Sequence, residues 1–146
     1  MVLDYGDRVD FLLVYVMEAH AKDEWPLGQK RSPIRQHQSI EERRDAWRHF
    51  KTTRFSNQTD PRVRAASTVP FALDSMNNVF YSTFGGWPEV HLVIQANGTL
   101  GMRLETELGA GTIKGGTWCD LVRDELKLQL SESDADLKKV ANKLKL

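Results

Sequence analysis

Apolar and polar positions divide this chain into short strand-like runs separated by amphipathic segments. The run Phe11-Leu12-Leu13-Val14-Tyr15-Val16 follows Asp10 with no polar residue inside it, the pattern of a parallel strand covered on both faces. Ser39 followed by Glu42 is a capping-box signature, and Ile40, Trp47 and Phe50 form a narrow apolar stripe behind it; together they predict a helix over about 40–54. Phe55 to Pro61 breaks that helix and leads through polar residues to a second strand over about 70–74, after which Asn77 to Thr83 reads as a short helical turn. Val90 to Ala96 and Thr99 to Leu104 flank Asn97-Gly98, a hairpin signal that predicts an antiparallel pair. Gly109 to Gly116 reads as a connector, with Thr117 capping a helix that carries Trp118, Leu121, Val122 and Leu126. Leu137, Val140 and Leu144 lie at helical spacing and place a last amphipathic piece after Ser133.

The order strand, helix, strand, hairpin, helix predicts an α/β domain with a mixed sheet flanked by helices. A chain of 146 residues with 40% hydrophobic and 27% charged residues can bury one core. We divide it into a domain over residues 1–130 and an amphipathic helical tail over 131–146. Twenty basic side chains balance twenty acidic ones, so no global charge draws the molecule to nucleic acid or anionic lipid. No stretch has the length and apolarity of a membrane span, and the chain as given is expected to be soluble. The single Cys119 excludes an internal disulfide and fits a buried structural thiol beside Trp118.

Chemistry in sheets of this kind collects at strand ends, and the first run ends in Met17-Glu18-Ala19-His20. If the extended conformation continues past Val16, alternation puts Glu18 and His20 on one face. An imidazole there can exchange a proton near neutral pH or hydrogen-bond a phenol. Taken alone, a Glu-x-His pair reads as solvated loop residues, and His37 as an exposed loop histidine. His20, His37, His49 and His91 follow no metal-ligand spacing. Arg43, Arg44, Arg48, Lys51 and Arg54 read as a solvated basic face of the first long helix rather than a phosphate site.

Four segments raise these residues above that reading. Tyr15-Val16-Met17-Glu18-Ala19-His20-Ala21-Lys22-Asp23-Glu24-Trp25 and Gln36-His37-Gln38-Ser39-Ile40-Glu41-Glu42-Arg43 are followed by Val69-Pro70-Phe71-Ala72-Leu73-Asp74-Ser75-Met76 and Pro88-Glu89-Val90-His91-Leu92-Val93-Ile94-Gln95. In this order they resemble the iodothyronine deiodinases, whose corresponding segments read Tyr-x-Glu-Glu-Ala-His-x-x-Asp-Gly-Trp and Gln-His-Arg-Ser-Leu-Glu-Asp-Arg. The likeness runs from residue 8 to about 104. It implies a thioredoxin-like fold that lacks its first strand and first helix. It also implies reductive removal of iodine from thyroid hormone, or from a related halogenated phenol, by attack of a selenolate on the halogen. By the same resemblance His20 lies at the phenolic end of the substrate, with Glu18 orienting it or relaying a proton. His37 belongs to the proton path near selenium, and Tyr15 stands close to the reaction centre. No bound cofactor or metal is implied; an external thiol restores the enzyme, the intact protein can be a homodimer, and family members are usually membrane-anchored.

The selenocysteine of that family has no counterpart among these 146 residues. We expect the chain to begin after the segment that carries it, as a gene reading restarted past a UGA codon would, and to be inactive as given. Such a chain is expected to expose apolar surface where the missing elements would pack. Three departures bear on substrate: Met17 replaces the first Glu of the family's pair, Glu24 replaces the Gly before Trp25, and Val90 stands where the family has an Arg that grips the hormone's amino-acid end. His91 beside it is a possible substitute or a solvent-facing strand residue. Pro88 is placed where thioredoxin-like folds often hold a cis proline. A thioredoxin-like thiol peroxidase or reductase acting on no iodinated compound is the alternative enzyme, and a binding module without redox chemistry is the non-enzymatic one.

Overall fold

The structure is a computed structural model that describes residues 1–28, 33–85, 89–105 and 118–144. The proposed cis proline at Pro88, the connector 109–116, the Thr117 cap and the Cys119 side chain lie outside what is described. The elements are α1 (Val2–Tyr5), β1 (Leu13–Tyr15), α2 (Ile40–Arg54), α3 (Pro61–Ser67), β2 (Phe71–Leu73), α4 (Val79–Phe84), β3 (Val90–Ile94), β4 (Leu100–Glu105) and α5 (Trp118–Leu144). The architecture is mixed α/β, divided into two compact units over Met1–Gly85 and Gly86–Leu146.

In the first unit β1 and β2 pair in parallel, Leu13 opposite Phe71 and Tyr15 opposite Leu73. A parallel pair needs a long crossover, and α2 with α3 supplies it. The helix α2 starts where Ser39 takes an extended conformation and its hydroxyl accepts the Glu42 N–H at 3.2 Å. The carboxylate of Glu42 reaches back to the N–H of Gln38 at 2.7 Å, so two first-turn donors are satisfied from one motif. On the face of α2 toward β1 and β2, Ala46 and Trp47 are buried. The Trp47 ring stacks on Phe50 at 5.5 Å and meets Phe71 at 4.7 Å and Tyr15 at 5.8 Å. Each such aromatic contact contributes about 1 kcal/mol beyond area burial, and this cluster is the core of the unit.

Two expectations change here. The first strand is not covered on both faces: Leu12 is 61%, Leu13 37% and Phe71 44% exposed, so apolar surface is open around β1 and β2, and the expected exposure of apolar surface is met. The stretch after residue 55 is not simply polar connection but holds α3, with the Asp60 side chain capping the Arg62 N–H at 2.8 Å and Pro61 in the first turn. Proline there loses no hydrogen bond and has the right φ.

In the second unit β3 and β4 form the expected antiparallel pair around Asn97-Gly98, with Gly98 at φ +83° and the Gln95 N–H bonded to the Thr99 carbonyl at 2.9 Å. The register shifts by one residue between Val93 and Ile94, which sit opposite Met102 and Leu100. Gly101 is the extra residue of this bulge, and a side chain there would press on Gln95 at 3.2 Å. The helix expected near Thr117 and the amphipathic piece after Ser133 are one continuous α5, which packs on β3. Val93, Val122 and Leu126 are the buried apolar residues described in this unit.

Replacing Ser39 by Ala removes the cap of α2 and should lower stability by about 1 kcal/mol in urea unfolding, with Ser39→Asp restoring most of it. An unchanged midpoint for Ser39→Ala would show that the hydroxyl contributes nothing.

Candidate functional site

Strand β1 ends at Tyr15, and the chain then bends rather than staying extended. Alternation therefore does not carry through to Glu18 and His20, and the two side chains turn to different partners. The Tyr15 hydroxyl donates to Glu18 Oε2. His20 faces Trp25 instead, with its ring 5.0 Å from the indole and Nδ1 3.4 Å from the Trp25 carbonyl oxygen. An expectation that Glu18 orients the His20 ring is thus met by a different geometry, in which the carboxylate holds a phenol.

Segment 36–38 lies against this loop because Gln36 binds it along its length. Gln36 Oε1 accepts the Glu18 N–H at 2.9 Å, while Nε2 donates to the Glu18 carbonyl at 3.3 Å and to Glu24 Oε2 at 3.1 Å. The Gln36 N–H donates to Asp23 Oδ1 at 2.9 Å, and the Lys22 N–H to the Ile34 carbonyl at 2.7 Å. A side-chain amide paired with a backbone N–H and C=O imitates one rung of a strand pair. Glu24, one of the departures from the family pattern, is absorbed into this clamp.

The clamp brings His37 to Tyr15, with ring centroids 5.7 Å apart. His37 is 5% exposed, not the exposed loop residue that the sequence alone suggests. Neither of its ring nitrogens has a hydrogen-bond partner among the described residues. A buried imidazole left this way has unused capacity for one donor and one acceptor. Burial, and then the positive charge of Arg43, push His37 below the ordinary histidine value, against the opposing carboxylates of Glu18 and Glu42. Tyr15 moves the other way: burial and the Glu18 carboxylate hold its phenol protonated far above the usual range. The site therefore presents a neutral imidazole beside a protonated phenol that is already bonded to a carboxylate.

An open groove of about 710 Å³ runs along His37, with Gln36, Arg35, Glu42, Asp45 and His49 on its walls. Among the described residues no group of three or more His, Cys, Asp or Glu side chains is arranged to hold a metal ion, and no helix is long and apolar enough to cross a membrane. In the second unit Val90 opens β3 opposite Glu105, and His91 Nε2 lies 3.3 Å from Glu89 Oε1.

Sequence pattern gave no sign of the roles of Gln36 and Arg43. Arg43 is 2% exposed, which corrects its assignment to a solvated basic face. Gln36 sits just before the capping box, where a polar residue reads as loop, and only the family motif marks it.

Comparison with known proteins gives one consistent result. The family model described as iodothyronine deiodinase matches residues 1–102. The chain is 27% identical over 95 residues to the type I iodothyronine deiodinase of Xenopus laevis, covering 65% of this chain and 32% of that protein. It is 30% identical over 95 residues to the thyroxine 5-deiodinase of Gallus gallus, with 65% and 32% covered. For the thyroxine 5-deiodinase of Homo sapiens the identity is 33% over 96 residues, with 66% and 28% covered. The chain spans about a third of the length of these relatives.

Because the folded state disfavours protonated His37, the unfolded chain binds the extra proton first as the pH falls. The stability contributed by the neutral ring should be complete above about pH 6.5 and decline as the pH drops toward the folded-state value. Urea unfolding between pH 7.5 and 5 measures it: the slope of stability against pH should flatten in His37→Gln, and an identical slope in both proteins would contradict the assignment.

Proposed function

Since the chain belongs to the iodothyronine deiodinase family, we propose that it forms the proton-handling part of a reductive deiodinase acting on thyroid hormone or another halogenated phenol. The observation that carries this reading is the Tyr15, Glu18 and His37 constellation, because the reaction needs protons more than any other service from these residues. A selenolate or thiolate that takes iodine from an aromatic carbon leaves that carbon with an electron pair, which a proton must fill. An external thiol then regenerates the nucleophile and accepts the oxidation. The nucleophile is not assigned to any of the 146 residues.

Within this reading Tyr15, Glu18 and His37 form one proton store, with the phenol and carboxylate sharing a hydrogen bond and the neutral imidazole next to them ready to exchange. His20 receives the phenol of the substrate, with Trp25 packed on its ring and 42% exposed beside it as an apolar platform. A thioredoxin-like arrangement belongs to the same proposal: the parallel β1 and β2 joined through α2 and α3, followed by the β3 and β4 hairpin and α5, support it. Val90 offers no guanidinium for the substrate's amino-acid end, so the proposal covers the halogenated phenol and leaves the other end of the substrate unassigned.

The test extends the chain upstream of Met1 along its genomic reading frame, decodes an in-frame UGA as selenocysteine, and measures iodide release from thyroxine with dithiothreitol. Release is expected, with His20→Ala and His37→Ala each lowering it by about a hundredfold, the lower end of general acid and base effects. A frame with neither such a codon nor a cysteine codon in its place, or release untouched by both substitutions, would contradict the proposal.

A further inference from the structure

Arg43 stands in the fourth residue of α2, one turn after the Ser39 cap, and is withdrawn from water almost completely, at 2% exposure. A cation so placed persists only where protein oxygens replace its hydration. Nη1 donates to the carbonyl oxygens of Asp74 at 3.0 Å and Ser75 at 2.7 Å, and Nη2 to Asn78 Oδ1 at 2.9 Å. Asn78 holds a left-handed conformation at φ 51° to serve as that acceptor and as the residue before α4.

All three acceptors are neutral. The Asp74 carboxylate, itself 4% exposed, is occupied by the N–H groups of Ser75, Phe80 and Tyr81 at 2.8, 2.9 and 3.0 Å. The guanidinium is thus anchored without a direct carboxylate hydrogen bond; the nearby Asp74 charge favours its charged form, and its own field reaches Tyr15 and His37. The anchor also adjoins the site: the Asp74 N–H donates to the Tyr15 carbonyl at 2.9 Å, so the turn that grips Arg43 is bonded to the strand that carries Tyr15.

We propose that Arg43 is a positioning residue, whose guanidinium, fixed on the turn between β2 and α4 by neutral oxygens, holds a permanent positive charge against the Tyr15, Glu18 and His37 cluster and so adds to burial in keeping His37 a neutral base. The assignment rests on the deiodinase reading for the use made of that base, but not for the electrostatics. Charged and titratable groups face His37 from each neighbouring element: Tyr15 from β1, Glu18 from the loop after it, Glu42 and Arg43 from α2, and, along the groove, Asp23, Arg35, Asp45 and His49. The carboxylates of Glu18 and Glu42 favour the imidazolium, and Arg43 opposes them. The same charge favours ionisation of Tyr15 against its burial. Without Arg43, burial alone would oppose Glu18 and Glu42, and protonation of His37 would become easier.

The experiment is an NMR titration of the His37 imidazole in the full 146-residue chain. Arg43→Gln should raise the His37 midpoint by about half a pH unit or more, and Arg43→Lys, which keeps the charge, should return it most of the way. A purely structural role predicts no such difference between the two variants. Should Arg43→Gln fail to fold by circular dichroism, Asn78→Gly keeps the left-handed backbone and removes only one acceptor. The loosened guanidinium should then shift the midpoint upward by a smaller amount. A His37 midpoint that stays put or falls in the folded variants overturns the proposal. None of these readings depends on iodide release, so failure of the deiodinase assay alone leaves the role of Arg43 standing.

Discussion

A guanidinium taken out of water has to find oxygens, and that demand ties together the elements of the first unit. Arg43 draws the turn after β2 onto the start of α2, and that turn is in register with β1 through Tyr15. The start of α2 in turn fixes where His37 lies, since only Gln38 separates it from the Ser39 cap. Remove the cation and the acceptors would be left with unmet hydrogen-bonding capacity in a place that water reaches poorly. The arrangement of phenol, carboxylate and imidazole is a consequence of this packing as much as of the residues themselves.

Burial then separates the behaviour of the titratable groups. Tyr15 and His37 are pushed toward their neutral forms for the same physical reason, loss of water around a charge. One result is a phenol that donates to Glu18, and the other a neutral imidazole beside it with both ring nitrogens open among the described residues. Aromatic contacts with Trp47 and Phe50 of α2 hold the Tyr15 ring in place. The exposed apolar residues around β1 and β2 show that this packing is one-sided, and the site relies on α2 for its rigidity.

Much of the fold was legible because its signals are local. Ser39 with Glu42 marked the start of α2, and Asn97-Gly98 marked the hairpin, since each motif satisfies backbone donors or a turn geometry within a few residues. The cap of α3, Asp60-Pro61, was equally local and was passed over because the polar residues around it resemble a loop. What pattern could not show was any pairing across distance. Glu18 binds Tyr15 rather than His20 because the chain bends after the strand, Gln36 clamps a loop eighteen residues earlier in the chain, and Arg43 departs from its basic neighbours by pointing inward. The bulge at Gly101 is of the same kind, visible only once two strands are laid side by side.

The central claim is that this cluster, with His20 and Trp25, meets a halogenated phenol. The most direct measurement titrates thyroxine into the 146-residue chain while following the imidazole signals of His20 and His37 by NMR. Both signals should respond along one saturation curve, and 3,5-diiodophenol, which lacks the amino-acid end, should move the same two. Binding that leaves both imidazoles unperturbed, or no binding by either compound, would contradict the claim.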